Sequence, residues 1–382
     1  MRQVRVVAGI VSVILTGAMA FASGCAEPAA SSWRSGAGSS RAGLEPYKAE
    51  RGPDSVRTRE WMWTDRERGR EVPVKAYLPR GADGPLPLLI FSHGGGGSRE
   101  GGSYLGEHLA SHGYAVVMPQ HAGSDREALR GDDRGRRGRR RGGQRGGLRE
   151  RLMSMVGDAE NWAARPLDVT FVIDRALAGE LGVEIDPGRI GVMGHSYGAF
   201  TAMAAAGMLV DLPGDADSSF LDQRVGAVVA FSPQGVGRFG IDEGAWAGIA
   251  APLLMMTGTE DSGRERGGDW TWRREPFDAM RASGIEHPTA LAVIEDATHM
   301  AFSDAAGGRL VRRMGGDDRD PRHHGWIVQL TTAWFDAHLG EPEHAGLDRA
   351  GSDRAGAWLG SEAIEDESGG EVRLERLDPG DR

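Results

Sequence analysis

The stretch Arg189-Ile190-Gly191-Val192-Met193-Gly194-His195-Ser196-Tyr197-Gly198-Ala199-Phe200-Thr201-Ala202-Met203-Ala204-Ala205-Ala206 decides how the rest of the chain is read. Arg189 to Met193 is a short apolar run suited to a buried parallel strand. Ala199 to Ala206 is strongly helix-forming. Between them, Gly194-His195-Ser196-Tyr197-Gly198 fits a sharp strand-to-helix turn on which a serine stands clear of its own backbone. Glycine on either side of the turn tolerates the crowding such a bend creates. The pentapeptide alone is common; with a strand before it and a helix after it, Ser196 becomes a candidate nucleophile.

Partners follow at the ends of two further apolar runs. Pro252 to Met256 reads as a strand that leads into Thr257-Gly258-Thr259-Glu260-Asp261, and Thr289 to Ile294 as one that leads into Asp296-Ala297-Thr298-His299. The order Ser196, Asp261, His299 is the nucleophile, acid, base order of α/β-hydrolases. A histidine takes the serine proton, and a carboxylate fixes the histidine tautomer and stabilises the imidazolium. Asp296 is the rival acid, but it lies only three residues from His299 and the acid usually sits on an earlier strand end. A developing oxyanion also needs donors. One is expected from the amide of Tyr197, the residue after the nucleophile, and the other from Ser92-His93-Gly94-Gly95-Gly96-Gly97-Ser98, with Gly95 favoured. That loop follows the apolar run Leu86 to Phe91. No Lys-Ser/Thr follows the glycines, so the loop is not read as a phosphate cradle. His93 is expected to hydrogen-bond beneath the loop.

Several segments resemble the bacterial predicted dienelactone hydrolases, relatives of plasma-type platelet-activating-factor acetylhydrolase. They are Phe91 to Glu100, Tyr104 to Tyr114, Pro119-Gln120-His121-Ala122-Gly123-Ser124-Asp125, Ser232-Pro233-Gln234-Gly235, Thr257 to Ser262 and His299-Met300-Ala301-Phe302. The resemblance runs from about Arg57 to about Leu339. It implies an α/β-hydrolase fold, a serine nucleophile at Ser196 with Asp261 as acid and His299 as base, and no metal or other cofactor. True dienelactone hydrolases use cysteine where this chain has Ser196, so the family label does not name a substrate.

The chain has 382 residues, a net charge of −10 and a single cysteine, Cys25. Arg2 and Arg5, the apolar stretch Val6 to Ala22, and Ser23-Gly24-Cys25 have the form of an export signal of the lipoprotein type. Cys25 is then the lipidation site, and several acyl chains at about 0.8 kcal/mol per buried CH₂ hold the mature chain on a membrane. The expected location is the cell envelope, the alternative being a soluble periplasmic or secreted protein. One cysteine leaves no internal disulfide.

The expected organisation is an export signal over residues 1–24, a disordered tether over 25–54, a catalytic domain over 55–340 and an acidic extension over 341–382. The fold class is α/β, a mostly parallel sheet with helices on both faces. Glu60 to Thr64 and Val72 to Leu78 read as a hairpin, with Pro73 suggesting an edge strand. A helix is expected near Pro166 to Ala178, and a short helix at Ala357 to Leu359 and a strand at Val372 to Leu374 near the C-terminus. The insertion over 130–151 carries ten arginines against three acidic residues. It lacks the interleaved aromatics of single-strand binders, so no nucleic-acid partner is expected; it reads as a solvated segment or as an arm that attracts anionic esters or envelope polymers. Trp246, Trp270, Trp272, Met300 and Phe302 are candidates for a substrate pocket or for ordinary packing. His323 and His324, near Asp317, Asp318 and Asp320, lack metal-ligand spacing and read as surface loop. The expectation is a serine carboxylic-ester hydrolase acting on a small or lipid-like ester. The alternatives are a serine peptidase of the prolyl-oligopeptidase type, which would normally carry a propeller for which this length leaves no room, and a non-catalytic binding lipoprotein.

Overall fold

Polar and apolar residues mix along two ten-residue runs, Val56–Asp65 (β1) and Arg70–Pro79 (β2), which pair antiparallel from Val56 opposite Pro79 to Asp65 opposite Arg70. The next strands are more apolar, because both of their faces are covered. Leu86–Ser92 (β3), Ala115–Pro119 (β4), Ile185–His195 (β5), Val225–Phe231, Leu253–Glu260 and Thr289–Thr298 form a parallel block. A small hairpin, Val210–Leu212 (β6) with Asp215–Ser218 (β7), stands outside the main sheet. The last three strands of the block are therefore β8, β9 and β10, and Val372–Leu377 is β11. The nine-stranded order is β1-β2-β4-β3-β5-β8-β9-β10-β11. The computed structural model describes residues 45–81, 84–130, 148–262, 269–284, 286–303, 320–340 and 349–379, all within one compact unit. Cys25, residues 131–147 of the arginine-rich insertion, and Asp317 and Asp318 lie outside the described residues.

Alternation along the central strands divides the core. In β9, Leu253 and Met255 face one side while Leu254 and Met256 face the other. The first side is covered by helices Ala159–Leu177, through Val169, Val172 and Ile173, and Tyr197–Ala205, through Phe200 and Met203. The second is covered by Ser103–Ser111, through Leu105 and Leu109, and Pro321–His338, through Ile327, Leu330 and Phe335. At about 25 cal/mol per Å² of apolar surface removed from water, these two layers supply the main stabilisation of the sheet.

Three features depart from the sequence reading. Pro73 is not on an edge: β2 pairs with both β1 and β4. Pro73 lies at the end of the β4 ladder, where its carbonyl accepts from the Gln120 amide at 2.8 Å and its missing N–H interrupts no longer run of bonds. The helix expected from Pro166 begins at Ala159, capped by Asp158, and runs through the proline. Burial of Val169, Val172 and Ile173 offsets the lost backbone bond. The part of the tether nearest the catalytic domain is packed. Tyr47 is buried against Trp358, and its hydroxyl donates to Asp336 at 2.8 Å, as does Tyr114 at 2.5 Å. The short helix and strand expected near the C-terminus are present: helix Arg349–Leu359 buries Trp358, and β11 pairs antiparallel with β10, so the extension completes the sheet.

Beneath the glycine loop after β3 lies a largely buried polar layer. Ser92, His121 and Asp168 are each buried. Ser92 Oγ is 2.9 Å from His121 Nε2, and His121 Nδ1 is 3.0 Å from Asp168 Oδ2. Arg70 donates twice to Asp168, at 2.8 and 3.0 Å. His93 Nδ1 donates to the Gly94 carbonyl at 2.7 Å, and its Nε2 accepts the His121 amide at 3.1 Å. Each ring thus has one donating and one accepting nitrogen, the pattern of neutral imidazole. Burial, with the Arg165 cation behind it, brings the His121 pKa down to about 4 and holds His93 well below the ordinary histidine range.

An acid sensitivity follows. An unfolded histidine titrates near 6.5, so below that pH the unfolded chain takes up protons that His121 and His93 refuse. Stability is complete above about pH 6.5 and declines as pH falls toward 4, by about 3 kcal/mol for His121 alone at 1.36 kcal/mol per unit. Urea unfolding at pH 7.5 and pH 5.0 should show a lower midpoint at pH 5.0. Equal midpoints would contradict the neutral assignment.

Candidate active site

Ser196 stands at the end of β5 with φ 57° and ψ −118°, a conformation that costs a non-glycine residue of the order of 1–3 kcal/mol. Its amide is held by the Phe231 carbonyl at 2.9 Å. The flanking glycines are required by contact: a Cβ on Gly194 would overlap the Gly198 backbone, and one on Gly198 would overlap the Ser92 carbonyl. The turn thus presses the start of helix Tyr197–Ala205 onto the end of β3, which brings the glycine loop beside the serine.

Ser196 Oγ is 3.0 Å from His299 Nε2, and His299 Nδ1 is 2.8 Å from Asp261 Oδ1. The three residues come from the carboxyl ends of β5, β10 and β9, which are parallel. His299 is 29% exposed and Asp261 is fully buried, so the chain of bonds leads from solvent inward. Asp296 is exposed. Its φ of 57° and its amide bond to Thr259 Oγ1 turn it away from this chain of bonds, and no hydrogen bond joins it to His299 among the described residues.

Two residues that the sequence reading left out shape this site. Arg273, in the turn Trp270–Arg274, is buried against Asp261, with Nε 2.8 Å from Oδ1. Its other nitrogens donate to the carbonyls of Ser232 and Pro233 at 2.8 and 2.9 Å and approach His299 Nδ1 at 3.0 Å. Burial alone would raise the Asp261 pKa, but the Arg273 cation and the His299 bond bring it down to about 2, so the group is a carboxylate at neutral pH. The Ser232-Pro233-Gln234-Gly235 segment is thus a carbonyl seat for Arg273. His195, between Gly194 and Ser196, donates from Nε2 to the His299 carbonyl at 2.8 Å, and burial brings its pKa down to about 3. It holds the backbone of His299 as a neutral ring.

In the glycine loop, the amide of Gly96 donates to the Ser124 carbonyl and that of Gly97 to the Gly94 carbonyl. Among the described residues, the amides of Gly94, Gly95 and Tyr197 have no protein acceptor. Gly95 is walled by the helix Leu148–Val156: a Cβ there would lie 2.7 Å from Val156 Cγ1 and 3.4 Å from Leu152 Cδ1. Two of the candidate pocket aromatics are core residues instead. Trp246 is buried among the core side chains, and Phe302 stacks on His195 and Phe231 from below. Trp270, Trp272 and Met300 are partly exposed. His323 is buried, His324 stacks on Tyr104 at 4.0 Å, and Asp320 caps the helix that carries them. These histidines are packing groups rather than surface loop. Asp211, Asp217 and Asp242 bring carboxylate oxygens within 4.8 Å of one another among the described residues, with Asp217 and Asp242 exposed.

The family model of platelet-activating factor acetylhydrolase, isoform II, matches residues 69–130, the span from β2 through the glycine loop to Arg130. No curated relative matches the chain at significance. Among solved structures, a ferulic acid esterase from Streptomyces cinnamoneus is similar with a TM-score of 0.51 and 21% identity, covering 85% of this chain and 97% of that one. A protein from Klebsiella pneumoniae assigned as a dienelactone hydrolase is similar with a TM-score of 0.50 and 20% identity, covering 74% of this chain and 99% of that one. The chain has the α/β-hydrolase fold, and its resemblance to the platelet-activating-factor acetylhydrolase family is matched by that family's own model over residues 69–130.

Proposed function

We propose that this protein is a serine carboxylic-ester hydrolase that works through an acyl-enzyme. The observation that carries the reading is the continuous bond chain Ser196 Oγ, His299, Asp261, at 3.0 and 2.8 Å, on three parallel strand ends. Ser196 Oγ attacks the ester carbonyl as His299 Nε2 takes its proton. The Asp261 carboxylate holds Nδ1–H and stabilises the imidazolium. The amides of Tyr197 and Gly95 receive the oxyanion, which frees both from their lack of an internal acceptor. His299 then protonates the leaving alkoxide. Water, activated by the same ring, attacks the acyl carbonyl and returns the serine. Leu152, Met155 and Val156 beside Gly95 favour an apolar substituent on the ester, in keeping with a small or lipid-like substrate. The ferulic acid esterase likeness is in the same direction.

The test is steady-state kinetics on p-nitrophenyl esters of varied acyl length, with peptide amides as the competing class. Esters should be turned over and amides not; the reverse would favour the peptidase reading. Ser196→Ala should remove turnover. Asp261→Asn should lower kcat by about 10⁴-fold, as loss of a triad acid does, while Asp296→Asn stays within about threefold of wild type. A dead Asp296 variant would reverse the acid assignment.

Lipid anchoring through Cys25 at the cell envelope is part of the same proposal. It is supported by the lone cysteine directly after an apolar export segment. Cells fed labelled palmitate should label the wild type and its membrane fraction, and Cys25→Ser should lose both. Soluble wild type with a free Cys25 thiol would remove the anchor from the account.

A further inference from the structure

Arg165 takes no part in the chemistry above, yet it is the largest fully buried side chain of the described protein. Burying a cation is expensive unless it is paired. No carboxylate of a described residue is within ion-pair distance of Arg165. Its partners are neutral oxygens. Nε donates to Thr201 Oγ1 at 2.8 Å, and Nη1 to Ser124 Oγ at 2.8 Å. Nη2 donates to Ser92 Oγ at 3.0 Å and to the His93 carbonyl. The guanidinium also lies over the ring of Tyr197, 4.3 Å from its centroid. Burial brings its pKa down to about 10, so the group stays cationic at neutral pH.

These partners fall on three separate segments. Tyr197 and Thr201 belong to the helix that begins at the nucleophile. Ser92 and His93 lead directly into Gly94 and Gly95. Ser124 sits in the turn whose carbonyl holds the Gly96 amide at 2.9 Å. Ser92 is further fixed from behind by His121, Asp168 and Arg70. The planar guanidinium therefore spans the two backbone pieces on which the oxyanion donors lie. A Met of similar length would fill the space without the charge, so the retained cation asks for a reason beyond packing.

We propose that Arg165 is the positioning residue of the oxyanion hole, locking the glycine loop against the nucleophile helix so that the Gly95 and Tyr197 amides converge on one oxygen. This rests on the ester-hydrolase reading. Oxyanion donors act only within about 2.7–3.1 Å of the oxyanion, so a small shift of the loop against the helix weakens transition-state binding and leaves substrate binding largely untouched.

The test compares wild type, Arg165→Met and Arg165→Lys. Lys keeps the charge but loses the fork. With a p-nitrophenyl ester, kcat should fall about 100-fold in Arg165→Met, the scale of losing one oxyanion donor, and about tenfold in Arg165→Lys, with KM within threefold in both. Affinity for a trifluoromethyl ketone, which mimics the tetrahedral adduct, should fall with kcat/KM. Amide hydrogen exchange should quicken in peptides covering residues 92–97 and 197–201, and stay unchanged in helix Pro321–His338. A folded variant with wild-type kcat, a loss confined to KM, or unchanged exchange in the loop would overturn the proposal. So would an activity loss that merely follows the fall in melting temperature. If Arg165→Met does not fold, Arg165→Lys carries the same comparison. If the wild type hydrolyses no ester, the functional reading fails; quickened loop exchange would then still support the clamp, and unchanged exchange would overturn it.

Discussion

The site depends on one close approach, that of Gly198 to the carbonyl of Ser92. No side chain fits between them. Helix Tyr197–Ala205 therefore starts against the end of β3, and the glycine loop leaves that strand beside Ser196. The positive φ of Ser196 follows from the same contact, because the chain must reverse sharply to bring Gly198 under the strand end. The strain is offset by the Ser196 amide bond to Phe231 and by the burial of Tyr197, Phe200 and Met203 along the helix.

Two buried arginines stabilise the two halves of this arrangement. Arg273 holds the Asp261 carboxylate and draws the Ser232–Pro233 carbonyls around itself. Arg165 holds the loop and helix on the other side of the serine. Each is satisfied by several oxygens, which is the condition under which a buried cation is tolerated. Neutral histidines fill the remaining positions. His93, His121 and His195 each pair one ring nitrogen with a fixed donor or acceptor, so they hold geometry without adding charge beside His299. The site is consequently braced by uncharged rings at neutral pH.

The parts of this design that were legible in the sequence are those with a local signature. Runs such as Leu253 to Met256 name buried strands because neighbouring residues face opposite layers. The elbow is legible because crowding demands glycine at fixed offsets, and the strand ends at Asp261 and His299 follow from chain order. What escaped is held by partners far apart in the chain. Arg165 bonds to Ser92, 73 residues away, and Arg70 bonds to Asp168, 98 residues away. No local pattern announces either. Arg273 hides in a run of tryptophans and arginines, where any of them reads equally as surface. Pro73 and Pro166 misled for the opposite reason: their local rule is strong, but a ladder end and a well-packed helix face absorbed the missing donor. Phe302 and Trp246 sit in loops near the site in sequence, yet they face the core.

The central claim is that Ser196, and no other serine, carries the acyl group. Intact-mass analysis after a fluorophosphonate, followed by peptide mapping, tests it most directly. The account predicts a single adduct on Ser196. An adduct on another serine, or no adduct from a preparation that hydrolyses esters, would contradict it.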